Sequence, residues 1–321
     1  MRLREGLRVV RRSDTEVQVG TDPRWAVRIT DLAPDEVASL VGADDGRAGE
    51  LPAHTVRLRA IAAQLAAAQL AEPRTAHRLP TGPAGADARM WHLVDADGPG
   101  RIQRRAERTV GVLGLGPTGA TIATSLAAAG VGTVLVDDTR PVRSVDVGPC
   151  GFRWGDVGRT RQQVVTRLLR DTAPAVVVDA TTDPDVLVLV EHGAADPVRA
   201  AMLVARELPH LAVVVRDADA VVGPLVVAGD GPCLRCVDLG RADVDDAWPT
   251  VADGLSRPAR DGAEPGVLAG AAAALAAATV LAYLDRGARL TGTYEIDLAD
   301  AVPRRRGWAV HPSCGCTAHP A

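Results

Sequence analysis

Lysine is absent from the 321-residue chain, so apart from histidine every basic side chain is arginine. No lysine is available to form a Schiff base or to touch a phosphate, and the strongly basic side chains are all planar guanidinium groups. Aromatic residues reach only 2% against 47% hydrophobic residues overall, so the core has to be packed from small and β-branched side chains. Net positive charge is lacking too. A formal charge of −4 provides no basic field for nucleic acid or an anionic membrane. The opening Met1-Arg2-Leu3-Arg4-Glu5 has no apolar stretch of the secretory kind, and a cytoplasmic protein is expected. One apolar run, 267–284, is long enough to span a bilayer, but Ala and Gly dominate it and Ala gains little from hydrocarbon. A buried Ala-rich packing helix is expected there, and no membrane.

What remains is a globular composition with enough length for one large domain or two smaller ones. Short strand-like runs at 7–10, 16–19 and 25–29 are separated by turn signals and followed by helix-like stretches at 32–41 and 54–70. Asp35 and Glu36 suit the positive N-terminal end of the first of these helices. The pattern predicts a small winged-helix-like module over residues 1–72. Residues 73–107, rich in Pro, Gly and Asp up to position 100, read as a linker. From 108 to the end the chain alternates strands and helices. Strands are expected at 109–113, 133–136, 175–178, 211–215 and 220–227, and helices near 120–129, 159–170 and 197–208. Continuous Val runs between helices indicate a parallel sheet covered on both faces. A loop-rich stretch, 238–266, precedes the Ala-rich helix, and a last strand is expected at 294–298.

Gly114-Leu115-Gly116-Pro117-Thr118-Gly119 fits the G-x-G-x-x-G pattern, with an apolar strand running into it and a helix starting from it. Glycines there permit a tight turn and close approach of backbone to phosphate, and the helix N-terminus offers N–H groups to an anion. Asp137 stands 23 residues after Gly114 at a strand end, where a carboxylate can accept hydrogen bonds from ribose hydroxyls. This element alone also fits an NAD-dependent oxidoreductase, but no second glycine element or catalytic His follows, and that scheme gives the cysteines no role.

Four of the five cysteines form two close pairs, Cys233/Cys236 and Cys314/Cys316, while Cys150 stands alone in a Gly/Pro loop with no activating base beside it. In a chain without secretory signals, such pairs read as metal ligands before disulfides. Four thiolates on two short knuckles match a tetrahedral structural Zn²⁺. His311 and His319 are near enough in sequence to be alternative ligands. A redox Cys-x-x-Cys would leave Cys314 and Cys316 unused.

Strand, glycine loop, helix, Asp137, then Pro232-Cys233-x-x-Cys236 and Pro312-x-Cys314-x-Cys316, resemble in order the ThiF/MoeB adenylyltransferases, relatives of ubiquitin-activating enzymes. The resemblance spans about 108–316 and includes Asp156-Val157-Gly158 and Val178-Asp179-Ala180-Thr181. It implies a Rossmann-like, mainly parallel α/β sheet with a structural zinc site and a homodimer. It also implies ATP over Gly114, Gly116 and Gly119 with its ribose at Asp137, and Mg²⁺ held by an acidic side chain. The implied reaction is adenylation of a peptide or carrier-protein carboxylate. Arg161 replaces the family's lysine after Asp-Val-Gly, Arg153 is a candidate phosphate contact alongside Arg140 and Arg143, and Asp183 falls one residue beyond the metal-binding position. With no cysteine between Cys236 and Cys314, the reaction is expected to stop at the acyl-adenylate. The opening Gly6-Leu7-Arg8-Val9 through Gln18-Val19-Gly20-Thr21-Asp22-Pro23 is similar to cyclodehydratase-associated ThiF-like proteins, which bind a leader peptide and often have degraded adenylation sites. That similarity implies the alternative: a scaffold binding a peptide or partner enzyme.

Overall fold

A computed structural model of the chain describes residues 1–43, 50–73, 80–256 and 262–317. They form two compact units, Met1–Gln103 and Arg104–Ala321. In the first, β1 (Arg2–Leu3), β2 (Val9–Ser13), β3 (Glu16–Val19) and β4 (Val27–Ile29) precede α1 (Pro34–Gly42), α2 (Val56–Ala67) and β5 (Ala71–Glu72). β2, β3 and β4 make an antiparallel sheet in that order, and β1 pairs with β5. Alternation in β3 turns Val17 and Val19 into a core shared with Leu40, Leu58 and Leu65. The helix starts are set by side chains. Glu36 accepts the Ala33 N–H at 3.1 Å, and the Thr55 hydroxyl accepts that of Leu58 at 3.0 Å.

The segment expected to be a linker carries two helices instead, α3 (Ala84–Asp95) and α4 (Gly98–Ala106). Two of its prolines begin helices and do not break them: Pro83 is the N-cap of α3, and Pro99 lies in the first turn of α4, where a missing N–H costs nothing.

The second unit continues with β6 (Thr109–Leu113), α5 (Pro117–Ala128), β7 (Thr133–Asp137), α6 (Arg161–Thr172), β8 (Val186–His192), α7 (Pro197–Ala205), β9 (His210–Val215) and β10 (Asp219–Val226). Then come α8 (Leu234–Ala242), α9 (Trp248–Ser256), α10 (Gly266–Arg286), β11 (Gly292–Asp297) and β12 (Pro303–Gly307). The seven-stranded sheet runs β12-β11-β10-β9-β8-β6-β7. β7, β6, β8 and β9 pair in parallel, whereas β9 to β12 pair antiparallel. β8 shows why both faces are covered: Val186, Val188 and Val190 join the core beneath α5 and α10, while Leu187 and Leu189 pack with Leu203 on the other face.

Three expectations change. The strand placed at 175–178 is only a single parallel bridge, Val177 to Thr133. The strand beside β6 is β8, whose unbroken Val/Leu run is what burial on both faces demands. The stretch expected to be loop-rich contains α8 and α9, with 257–261 outside the described residues. β12 pairs along the sheet edge although every residue in it is exposed. The helix α10 is long and apolar enough to cross a membrane by length and composition, and its Leu268, Ala272, Ala273, Ala276, Ala277 and Val280 are buried in the main core.

Arg105 fastens three of these elements. Its guanidinium meets Asp285 of α10 at 2.9 and 2.8 Å and donates to the Ala129 carbonyl after α5 at 2.9 Å. The two side chains are 1% and 2% exposed. Removing one partner strands a buried charge, so Arg105→Met is expected to lower the unfolding free energy by about 3–5 kcal/mol in denaturant titration. Adding Asp285→Leu is expected to restore most of it.

Candidate active site

The C-terminal ends of β6, β7 and β8 open onto a cavity of about 760 Å³, the position where open α/β sheets bind ligands. Gly114 follows β6 with φ +86°, and a Cβ there would lie 2.2 Å from the Val190 carbonyl oxygen. A Cβ on Gly119 would lie 1.9 Å from the Gly114 carbonyl oxygen. These two glycines are required by packing of the chain on itself. Gly116 is different: what a Cβ would strike, at 2.0 Å, is the carboxylate of Glu264. The close approach expected of a phosphate is made here by a side chain of the same protein.

Asp137 ends β7, exposed and on the cavity wall, as the sequence suggests. Its neighbour Asp138, not singled out in the sequence, is buried and organises the loop. It accepts from Leu115 N at 2.8 Å, from Arg140 at 2.8 Å through Nε and again through a terminal nitrogen, and from Arg161 at 3.4 Å. Arg161 lines the cavity, yet it is locked between two buried carboxylates and also donates to Asp146 at 2.6 and 3.2 Å. Arg143 reaches Asp146 at 2.9 Å and the Gly262 carbonyl at 2.6 Å.

Arg153 and Asp183 are not in this cavity. Arg153 is exposed, and its backbone N–H is tied to Asp156 at 3.0 Å. Asp183 is exposed and precedes β8, beyond the Val110–Val186 pairing. It therefore lies at the N-terminal edge of the parallel strands, across the sheet from the glycine loop. The acidic group that does reach the cavity from β8 is Glu191 at its other end. Glu191 accepts from Arg199 at 2.7 Å and from Asp196 N at 3.2 Å. Burial pushes its carboxyl up, more than these bonds lower it. The sequence signal is a Val/Leu run ending in two polar residues, Glu191-His192, and the strand expected at 175–178 competes with it.

Burial also drives the Asp138 and Asp146 carboxyls up, but hydrogen bonds reverse this and hold both below the ordinary carboxylate range. For Asp138 the donors are Arg140 and Leu115 N; for Asp146 they are Arg143 and Arg161. Since the folded values lie below the unfolded ones, this stabilisation is complete above the ordinary carboxylate range and is lost as pH falls through the lowered values.

On the other side of β9, Cys233 and Cys236 meet Cys314 and Cys316. Sγ–Sγ distances are 3.8 Å for Cys233–Cys236, 3.5 Å for Cys233–Cys314 and 3.4 Å for Cys236–Cys316, and all four sulfurs lie within 4.8 Å of one another. A tetrahedral ion with metal–sulfur bonds of about 2.3 Å has edges of about 3.8 Å, so the cluster can hold a metal. Without a cation, burial pushes the Cys233, Cys314 and Cys316 thiols up to about 11. His311 is occupied elsewhere, at 3.0 Å from Asp243 and accepting from Ser313 N at 3.1 Å, and His319 lies outside the described residues. Cys150 donates to the Asp146 carbonyl at 3.3 Å, and burial raises its thiol, as expected of an inert cysteine.

The ThiF family model matches residues 87–314. The chain belongs to the ThiF family. Solved structures similar to this ThiF-family chain include E. coli MccB with ATP, at 16% identity over 98% of each chain and a TM-score of 0.69. E. coli MccB with AMPCPP and MccA matches at 16% identity over 99% of each chain, with a TM-score of 0.71. PaaA matches at 17% identity over 95% of this chain and 99% of its own, with a TM-score of 0.69. At such identities the likeness is one of fold, and it takes in both units. A search of curated protein sequences gives no significant match.

Mutation separates the framework role of Arg161 from a ligand-binding one. Arg161→Met is expected to lose about 3–5 kcal/mol of stability and to unfold in acid at a higher pH than the parent; a variant as stable as the parent would show the guanidinium free for a ligand. At the cysteine cluster, elemental analysis of the parent is expected to show one metal ion per chain, and Cys236→Ser is expected to lose it and to melt at a lower temperature. Lowering the pH should release the parent's metal, because protons compete for the thiolates.

Proposed function

We propose that this chain activates a peptide carboxylate by adenylation with ATP. A carboxylate oxygen forms the bond to the α-phosphorus as the bond to the bridging oxygen breaks, and pyrophosphate leaves. The observation that carries the reading is the cavity itself: Gly114, Asp137 and four arginines gathered at the C-terminal ends of parallel strands, on a ThiF-family chain that aligns end to end with MccB solved with ATP and with MccA. Asp137 would hold a ribose hydroxyl, and Asp137, Glu191 and Asp196 are the lining carboxylates that can take Mg²⁺. Arg140 and Arg199 would meet phosphate oxygens. Among the described residues no cysteine lines the cavity, which fits a reaction ending at the acyl-adenylate without a thioester.

The four-cysteine cluster fits Zn²⁺, which would pin the C-terminal knuckle to the start of α8. The N-terminal unit, read as a winged-helix-like peptide module, has β2 and β4 at the edges of its sheet. An extended peptide added there would gain backbone hydrogen bonds. A cytoplasmic homodimer completes the proposal.

A second reading, a scaffold with a degraded site, has its own support. Each lining arginine is already paired with a carboxylate: Arg140 with Asp138, Arg143 and Arg161 with Asp146, and Arg199 with Glu191. Calorimetric titration with Mg·ATP decides between the two. Adenylation requires binding at micromolar strength, weakened about tenfold by Asp137→Ala through loss of the ribose contact, together with peptide-dependent exchange of labelled pyrophosphate into ATP. Absence of ATP binding would leave the scaffold.

A further inference from the structure

The N–H groups of the glycine loop are largely committed to the protein's own oxygens. Gly114 N donates to the Asp137 carbonyl at 3.2 Å and Leu115 N to the Asp138 carboxylate at 2.8 Å, while Pro117 has no N–H to give. Thr118 N, in the first turn of α5, donates to Glu264 Oε2 at 2.7 Å. Glu264 sits two residues before α10 and is 4% exposed. Its other oxygen, Oε1, lies 3.0 Å from His192 Nε2. Burial works against a charge there, but the nearness of His192 and Thr118 outweighs it and holds the carboxyl below its ordinary range. The carboxylate thus stands as an anion on the positive end of α5, where a phosphate group is normally received.

A carboxylate does not fill this place well. The Thr118 hydroxyl is wholly buried and lacks a well-aligned partner, as do His192 Nε2 and Glu264 Oε1 itself. Three potential donors, Thr118 N, Thr118 Oγ1 and His192 Nε2, surround a planar group that satisfies one of them well. A tetrahedral oxyanion presents oxygens in more directions and would satisfy them together. Access is short: Glu264 does not line the cavity, but Gly114, His192 and Gly262 around it do.

We propose that the N-terminus of α5 is a concealed phosphate-group site, occupied in this state by the Glu264 side chain, and that a polyphosphate ligand entering from the cavity takes Glu264's place. That the natural ligand is a nucleotide rests on the adenylation reading; the anion site does not. Inorganic pyrophosphate is the probe. In calorimetric titrations of the full-length, metal-loaded chain, Glu264→Ala should bind pyrophosphate about tenfold more tightly than the parent, the order of gain expected when a charge at a helix end is removed. Adding Thr118→Val to that variant should cancel much of the gain. If the Ala variant fails to fold, Glu264→Gln, which keeps the shape and the acceptor for Thr118 N, decides in its place by the same direction of change. Equal pyrophosphate affinity in the parent and a folded variant overturns the proposal. Absence of Mg·ATP binding by the parent together with a pyrophosphate gain in the variant would overturn the adenylation reading alone.

Discussion

The carboxylate of Asp138 is the point on which the C-terminal edge of the parallel sheet depends, because donors from three separate segments converge on it. Leu115 N comes from the glycine loop, the Arg140 fork from the turn after β7, and Arg161 from the first turn of α6. Arg161 carries the network on to Asp146, and Arg143 carries it to the Gly262 carbonyl before α10. A charge buried this deeply is stable only while its partners hold their places. The network therefore fixes where the loop, the turn and the chain ahead of α10 can stand, and through them the shape of the cavity.

Arginine makes this possible where lysine could not. One planar guanidinium can address two carboxylates along different edges, as Arg161 does with Asp138 and Asp146, whereas a single ammonium is a point charge. The absence of lysine is thus written into the architecture and not only into the composition. Each carboxylate in the network is answered by at least one fork, so the region is close to neutral despite its density of charge.

Much of this was legible in the sequence, and the reasons for the failures are physical. Strand, glycine loop and helix around 109–128 can be read from local pattern, since apolar run, Gly-x-Gly and proline at a helix start are all short-range signals. The two cysteine pairs can be read together because four thiols on two short knuckles suit one tetrahedral metal ion. Asp183 was misplaced because β8 was. Two Val-rich runs, 175–178 and 185–190, competed for one place in the sheet, and only tertiary pairing with β6 selects the second. Glu264 was invisible for another reason: it lies 146 residues from the Thr118 N–H it accepts, and no periodicity or spacing links positions so far apart. Pro83 and Pro99 show a subtler limit, since a proline marks either a linker or a helix start, and the choice between them is made by the residues on its C-terminal side.

The exposure of the cavity arginines decides which of them can serve a ligand. Arg161 is 4% exposed and its partner Asp138 2%, so drawing it toward a phosphate would strand buried carboxylates at a cost of several kcal/mol. Arg140 and Arg199 differ: their side chains are 53% and 44% exposed. Their carboxylate partners are buried, with Asp138 2% and Glu191 11% exposed, so each guanidinium keeps its carboxylate and offers the donors on its solvent side to a phosphate oxygen. Arg140 stands beside the glycine loop through Asp138, and Arg199 beside the end of β8 through Glu191. The division of labour comes from burial alone, with the inner arginines as framework and the outer pair as the cations available to a polyphosphate.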